Sequence, residues 1–131
     1  MSSSVLKILA IALLALAVAS CRSATVYNVD NASLNAPRTV TAAQVEAAIK
    51  RAGGSLGWHM KDIAPGHLEG RLPIRDHLAV ADIFYTNKDF SIRYKDSNNL
   101  RYDKADNTIH SNYNGWIQNL QNAIIAQTSS L

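Results

Sequence analysis

Few side chains in this sequence are equipped for chemistry. There are four histidines, His59, His67, His77 and His110, and one cysteine, Cys21. Zinc sites use short fixed spacings, such as two histidines one helical turn apart or a Cys-x-x-Cys turn, and no two of these histidines stand so. The strand pattern described below turns His59 and His67 away from the core and starts a strand at His77. No metal site and no cofactor are therefore expected. Ser91, His77 and Asp82 supply the residue types of a hydrolytic triad, but no nucleophile elbow surrounds Ser91. Neither a P-loop nor a Gly-x-Gly-x-x-Gly run occurs. Arg93-Tyr94-Lys95 and Arg101-Tyr102-Asp103-Lys104 mix cations with aromatics, as binders of single strands do. Tyr94 is better read as a core residue, and a net charge of +3 is modest for a nucleic-acid binder. No nucleic-acid partner is expected. Trp58 and Trp116 have the chemistry of a sugar platform, yet both fall on apolar stripes at the period of a core.

The one cysteine takes its meaning from what precedes it. Lys7 is followed by Ile8 to Val18, eleven apolar residues without a charge. A bilayer-spanning helix needs about 20 such residues, so the run is too short to span and has the length of a signal-peptide core. Val18-Ala19-Ser20-Cys21 then resembles the bacterial lipobox: an aliphatic residue, two small ones and a cysteine. The resemblance implies diacylglyceryl transfer to the Cys21 sulfur, cleavage after Ser20 and acylation of the new amino terminus. Each buried CH₂ contributes about 0.8 kcal/mol, so three chains would make a permanent membrane anchor. Arg22 stands where inner-membrane lipoproteins usually carry Asp, so the resemblance points to the outer membrane, with the domain facing the periplasm.

The rest of the chain divides into a tether and one domain. Removing residues 1–20 takes away only Lys7, leaving a charge of +2. Residues 21–39 are rich in Ser, Asn and Ala without helical period and read as a lipid-anchored flexible tether, in which Val26 and Val29 around Tyr27 could add a short edge strand. Residues 40–131 form the expected domain. Thr41 with Gln44 makes a capping box. Val45, Ala48, Ile49 and Ala52 follow helical spacing until Gly53-Gly54. From Ser55 to Lys95 the period is two, in four runs separated by Ala64-Pro65-Gly66, Arg75-Asp76 and Thr86-Asn87-Lys88-Asp89. A polar loop follows from Asp96 to Thr108. Ile109, Tyr113, Trp116, Ile117, Leu120 and Ile124 mark a last helix. The expected fold is α+β in the order α-β-β-β-β-α, a two-layer sandwich with both helices on one face of a four-stranded antiparallel meander.

Several runs on this framework are distinctive: Leu56-Gly57-Trp58, Ile83-Phe84-Tyr85, Ser91-Ile92-Arg93-Tyr94, Ser97-Asn98-Asn99-Leu100 and Tyr113-Asn114-Gly115-Trp116-Ile117. In these the chain resembles small proteobacterial lipoproteins of uncharacterised function. The resemblance spans nearly all of the chain after Cys21 and implies location and fold but no activity.

Strand alternation also fixes a second sheet face, bearing His59, Lys61, Glu69, Arg71, Asp82, Arg93 and Lys95 with Val80 and Phe84 among them. Four cations against two acids, beside an exposed ring, suit a partner with phosphate or carboxylate groups. Arg71 and Arg93 are the expected contacts, aided by Lys61, Lys95 and Phe84, because guanidinium binds such groups bidentately. The functional expectation is a non-enzymatic cell-envelope lipoprotein whose domain binds a protein, peptidoglycan or lipopolysaccharide. The alternative is a small-ligand carrier or hydrolytic periplasmic enzyme with a site between sheet and helices.

Overall fold

A computed structural model describes residues 22–131. The apolar run and Cys21 lie outside the described residues. The elements are β1 (Ser23–Thr25), β2 (Val29–Ser33), α1 (Ala42–Ser55), β3 (His59–Ala64), β4 (His67–Ile74), β5 (His77–Tyr85), β6 (Asp89–Asn98), β7 (Thr108–His110) and α2 (Ser111–Ser129). β3 to β6 form the expected meander. β2 adds a fifth antiparallel strand, in the order β2-β6-β5-β4-β3, and β1 pairs with β7 in a separate two-stranded sheet. The class is α+β, with two antiparallel sheets and two helices among the described residues.

The fifth strand, starting at the Val29 expected of a short edge strand, shows that the described part of the expected tether at residues 21–39 belongs to the fold. Val29, 3% exposed, lies opposite Ile92, and Val26 and Leu34 are also buried. The backbone is held as well: the Leu34 N–H donates to the Lys88 carbonyl, and the Val26 N–H to that of Asn107. The composition of β2, Val-Asp-Asn-Ala-Ser, leaves only Val29 to signal it, since a short edge strand with one buried residue has no period to detect.

Local chemistry sets the element ends. The Gln44 N–H donates to Thr41 Oγ1 and the Thr41 N–H to Gln44 Oε1, so both halves of the capping box are made. α1 ends when the Gly53 carbonyl accepts from Leu56 and Trp58 and the chain turns at Gly57, whose φ is +89°. The first strand of the meander consequently begins at His59 rather than at Ser55, and Leu56 is exposed.

One apolar cluster joins Leu68, Leu72, Ala79, Ala81, Ile83, Phe90 and Ile92 of the sheet to Val45, Ile49 and Ala52 of α1 and Tyr113, Ile117, Leu120 and Ile124 of α2. Trp58 belongs to it at 3% exposure. Trp116, expected in the core, is only partly buried and packs against the cluster from its margin.

Candidate functional site

The sheet face turned away from this cluster carries the residues singled out by alternation, and strand register arranges them in rows. Lys61, Glu69, Asp82 and Arg93 lie opposite one another across β3, β4, β5 and β6. His59, Arg71, Val80 and Asp96 form the next row, and His67, Phe84 and Ser91 the one on the other side. Register shifts between Val80 and Ala81, so that Lys95 and Asp96 together face Val80. Such a bulge places two successive side chains on one face and leaves the extra residue outside the ladder.

The bulge resolves a conflict built into the central row. Glu69 and Asp82 are directly opposed carboxylates, an arrangement that destabilises a sheet. Lys95 Nζ reaches between them, 2.6 Å from Glu69 Oε2 and 3.7 Å from Asp82 Oδ1. Arg71 Nη1 lies 3.4 Å from Glu69 Oε1, and His67 Nε2 lies 2.8 Å from Asp82 Oδ1. The hydrogen bond from Lys95 is the main reason the Glu69 carboxyl, 9% exposed, sits below its ordinary pKa; the same bond raises that of Lys95. Phe84, 40% exposed, stacks on the His67 ring with centroids 4.4 Å apart. Val80, on the same face, is buried to 2%, with Arg71 directly opposite. Long cationic side chains lay their methylenes over such residues while keeping the charge in water.

Sequence reasoning placed Lys61, Arg71, Arg93, Lys95 and Phe84 on one face, and the structure does so too. It missed two acids there. Asp30 of β2 binds Arg93 at 2.5 Å, and Asp96 joins the face through the bulge. Asp30 was hidden by the tether reading, and a bulge leaves no mark on the alternation before it. The face thus carries four cations and four carboxylates, a mosaic in place of the expected cationic surface. Lys61 has no ion pair among the described residues, whereas Arg71, Arg93 and Lys95 all have one.

The triad residues stand apart. Asp82 is held by His67, while His77 Nδ1 donates to the Asn99 carbonyl at 2.7 Å and Ser91 Oγ accepts from the Asn31 N–H. No group of three or more His, Cys, Asp or Glu among the described residues is arranged to hold a metal ion. A groove of about 420 Å³ lies at the β5–β6 turn, lined by Ser33, Asn35, Arg38, Asn87 and Lys88 among others. A second cavity of about 290 Å³ lies between Leu56, Trp58, Leu72, Ile74, Trp116 and Asn119. Comparison with known proteins found no matching family model, no similar curated protein and no similar solved structure.

Proposed function

We propose that this chain is an exported lipoprotein, held by acyl chains on Cys21 to the periplasmic side of a bacterial outer membrane, whose domain is a non-enzymatic binding module. The observation that carries the reading is the row Ile8 to Val18 running directly into Val18-Ala19-Ser20-Cys21, the chain's one cysteine. Lipidation also removes a thiol that an oxidising compartment would otherwise cross-link. In this reading both helices pack on the sheet face bearing Leu72, Ile83 and Ile92, and the mosaic face is the surface offered to an envelope protein, peptidoglycan or lipopolysaccharide. Phe84 supplies apolar contact there. Arg71 and Arg93 are solvent-accessible guanidiniums whose present partners, Glu69 and Asp30, a phosphate or carboxylate would replace.

Mass spectrometry of the mature amino terminus tests the anchor. The expected species begins at Cys21 and carries acyl chains, and Cys21→Ser gives uncleaved precursor or material released from the membrane. An unmodified Cys21 overturns the reading. For the partner, binding should be salt-sensitive and weaken in a folded Arg71→Glu/Arg93→Glu variant. Resonances on this face that stay unmoved by both envelope polymers and by proteins captured through crosslinking in cells would remove it as a binding surface.

A small-ligand carrier is the second reading, favoured by the 420 Å³ groove, whose size falls among ligand sites. Its lining holds Arg38 and Lys88 but no His, Asp, Glu or Cys, so it offers ligand binding without an acid–base pair for hydrolysis.

A further inference from the structure

Three exposed arginines without an ion pair among the described residues lie at the end where the chain emerges from Cys21. Arg22 is one peptide bond from Cys21 and already part of the fold: its carbonyl accepts from the Ser111 N–H at 2.8 Å, and Ser23 lies opposite His110. The His110 N–H donates to the Leu100 carbonyl at 2.8 Å, which brings Arg101 to the same end. The His77 ring lies 6.5 Å from that of His110 and 6.1 Å from that of Trp116, and a hollow of about 170 Å³ there is lined by Ile74, Arg75, His77, Asn112 and Trp116. Arg22, Arg75 and Arg101 are exposed, and none forms an ion pair among the described residues. Asp76, the acid beside them, is engaged by Asn99 Nδ2 at 2.8 Å and lies 3.5 Å from His77 Nε2. Asp103, further along the loop, accepts from the N–H groups of Ala105 and Asp106.

Two of these arginines occupy unfavourable backbone positions. Arg75 has φ +55° and Arg101 φ +54°, in the left-handed region that Gly and Asn enter easily and branched or long side chains rarely do. Glycine or asparagine would relax both turns, so local folding does not explain arginine at either site.

We propose that this end of the domain rests on the phosphate layer of the membrane that holds Cys21. The proposal deepens the lipoprotein reading and rests on it. With β1 beginning at Ser23, there is no tether, and an acylated Cys21 holds the Arg22–Arg75–Arg101 end within a few ångström of the lipid headgroups. Guanidinium matches phosphate bidentately, and a tryptophan at the margin of the core suits the headgroup zone. The mosaic face, running along the sheet strands and away from this end, is left free for a partner.

Trp116 reports on the contact. The full chain, purified from membranes, is combined with vesicles of phosphatidylglycerol and phosphatidylethanolamine containing brominated lipid. Phosphatidylcholine vesicles serve as the comparison, and the mass of the amino terminus is measured on the same sample. Quenching of tryptophan emission is expected in the anionic vesicles. It should be lost in Trp116→Phe, lost at about 1 M salt, where the screening length is roughly 3 Å, and lost in Arg75→Asn/Arg101→Asn. That last variant relieves the backbone, so its melting temperature should be equal or higher, which separates lost contact from lost fold. Arg71→Glu/Arg93→Glu should quench like the parent. Acylated Cys21 without quenching, or quenching that survives Arg75→Asn/Arg101→Asn, overturns the docking and leaves the anchor. Quenching with an unmodified Cys21 supports the docking and overturns the anchor.

Discussion

Tyr113 fills the middle of the core on α2, fully buried, with its ring edge-on to Tyr94 at 5.6 Å, yet its hydroxyl has no hydrogen-bond partner among the described residues. Burial pushes its phenol pKa far upward, the mark of a polar group removed from water without compensation. Deleting the oxygen relieves that cost, so Tyr113→Phe should stabilise the domain by about 1 kcal/mol, measured by denaturant midpoint. Glu69 is the opposite case, a buried carboxylate satisfied by Lys95 and Arg71. Its folded-state pKa is lowered, so its contribution to stability is complete above its ordinary value of 4.5 and is lost as pH falls through the lowered one. Glu69→Gln should flatten the acid limb of the stability profile over that window, and an unchanged limb would show that other carboxylates set it. At this scale the sequence told which way Lys61, Glu69, Arg71, Asp82, Phe84 and Arg93 point, but not that Trp116 lies only at the margin of the core or that Val80 is buried. It could not tell how charges pair, because Lys95 reaches Glu69 from a bulge and the partner of Arg93, Asp30, lies on a short strand read mainly as tether.

Two glycines show how differently the elements constrain their residues. A Cβ on Gly70 in β4 would come within 3.1 Å of the Trp58 ring and 3.2 Å of Ile83 Cδ1, both in the close-packed core. Gly70→Ala should therefore destabilise by about 1–3 kcal/mol, the cost of overpacking. Gly115, within α2, has open space around it. Gly115→Ala should stabilise by about 0.5–1 kcal/mol through backbone entropy alone, and thermal melts of the two variants should move in opposite directions. α1, α2 and the β3–β6 meander were legible because each repeats its apolar pattern over several turns or strand pairs. β1, β2 and β7, of three to five residues each, were not, since what specifies them is a partner remote in sequence.

For the whole molecule, the boundary drawn at residue 40 has a measurable consequence. A chain beginning at Val40 lacks β1 and β2, so it leaves the β6 edge unpaired and uncovers the Ile92 side of the core. It should lose the cooperative thermal transition expected of the chain beginning at Arg22, whereas a true tether could be removed without effect. The grouping of three exposed arginines at one end is likewise a property of the whole fold. Arg22, Arg75 and Arg101 are far apart in sequence and share one end only through pairings remote in the chain, Asp76 with Asn99, Leu100 with His110 and β1 with β7, which is why no local reading could join them.

That closure also sets the order of events in time. The strand that follows Cys21 is the first part of the described chain to be synthesised, and its partner, Thr108–His110, is among the last. Pairing across so long a separation is slow and waits for nearly the entire polypeptide to emerge. Until then β1 has no strand to pair with, so on the lipoprotein reading the adjoining cysteine is still open to the enzymes of lipid transfer and cleavage. Once the distant strand arrives, Ser23–Thr25 is drawn against the domain. In the proposed lipoprotein reading, topology thereby puts acylation before folding: modification belongs to the interval before Thr108–His110 is free to pair.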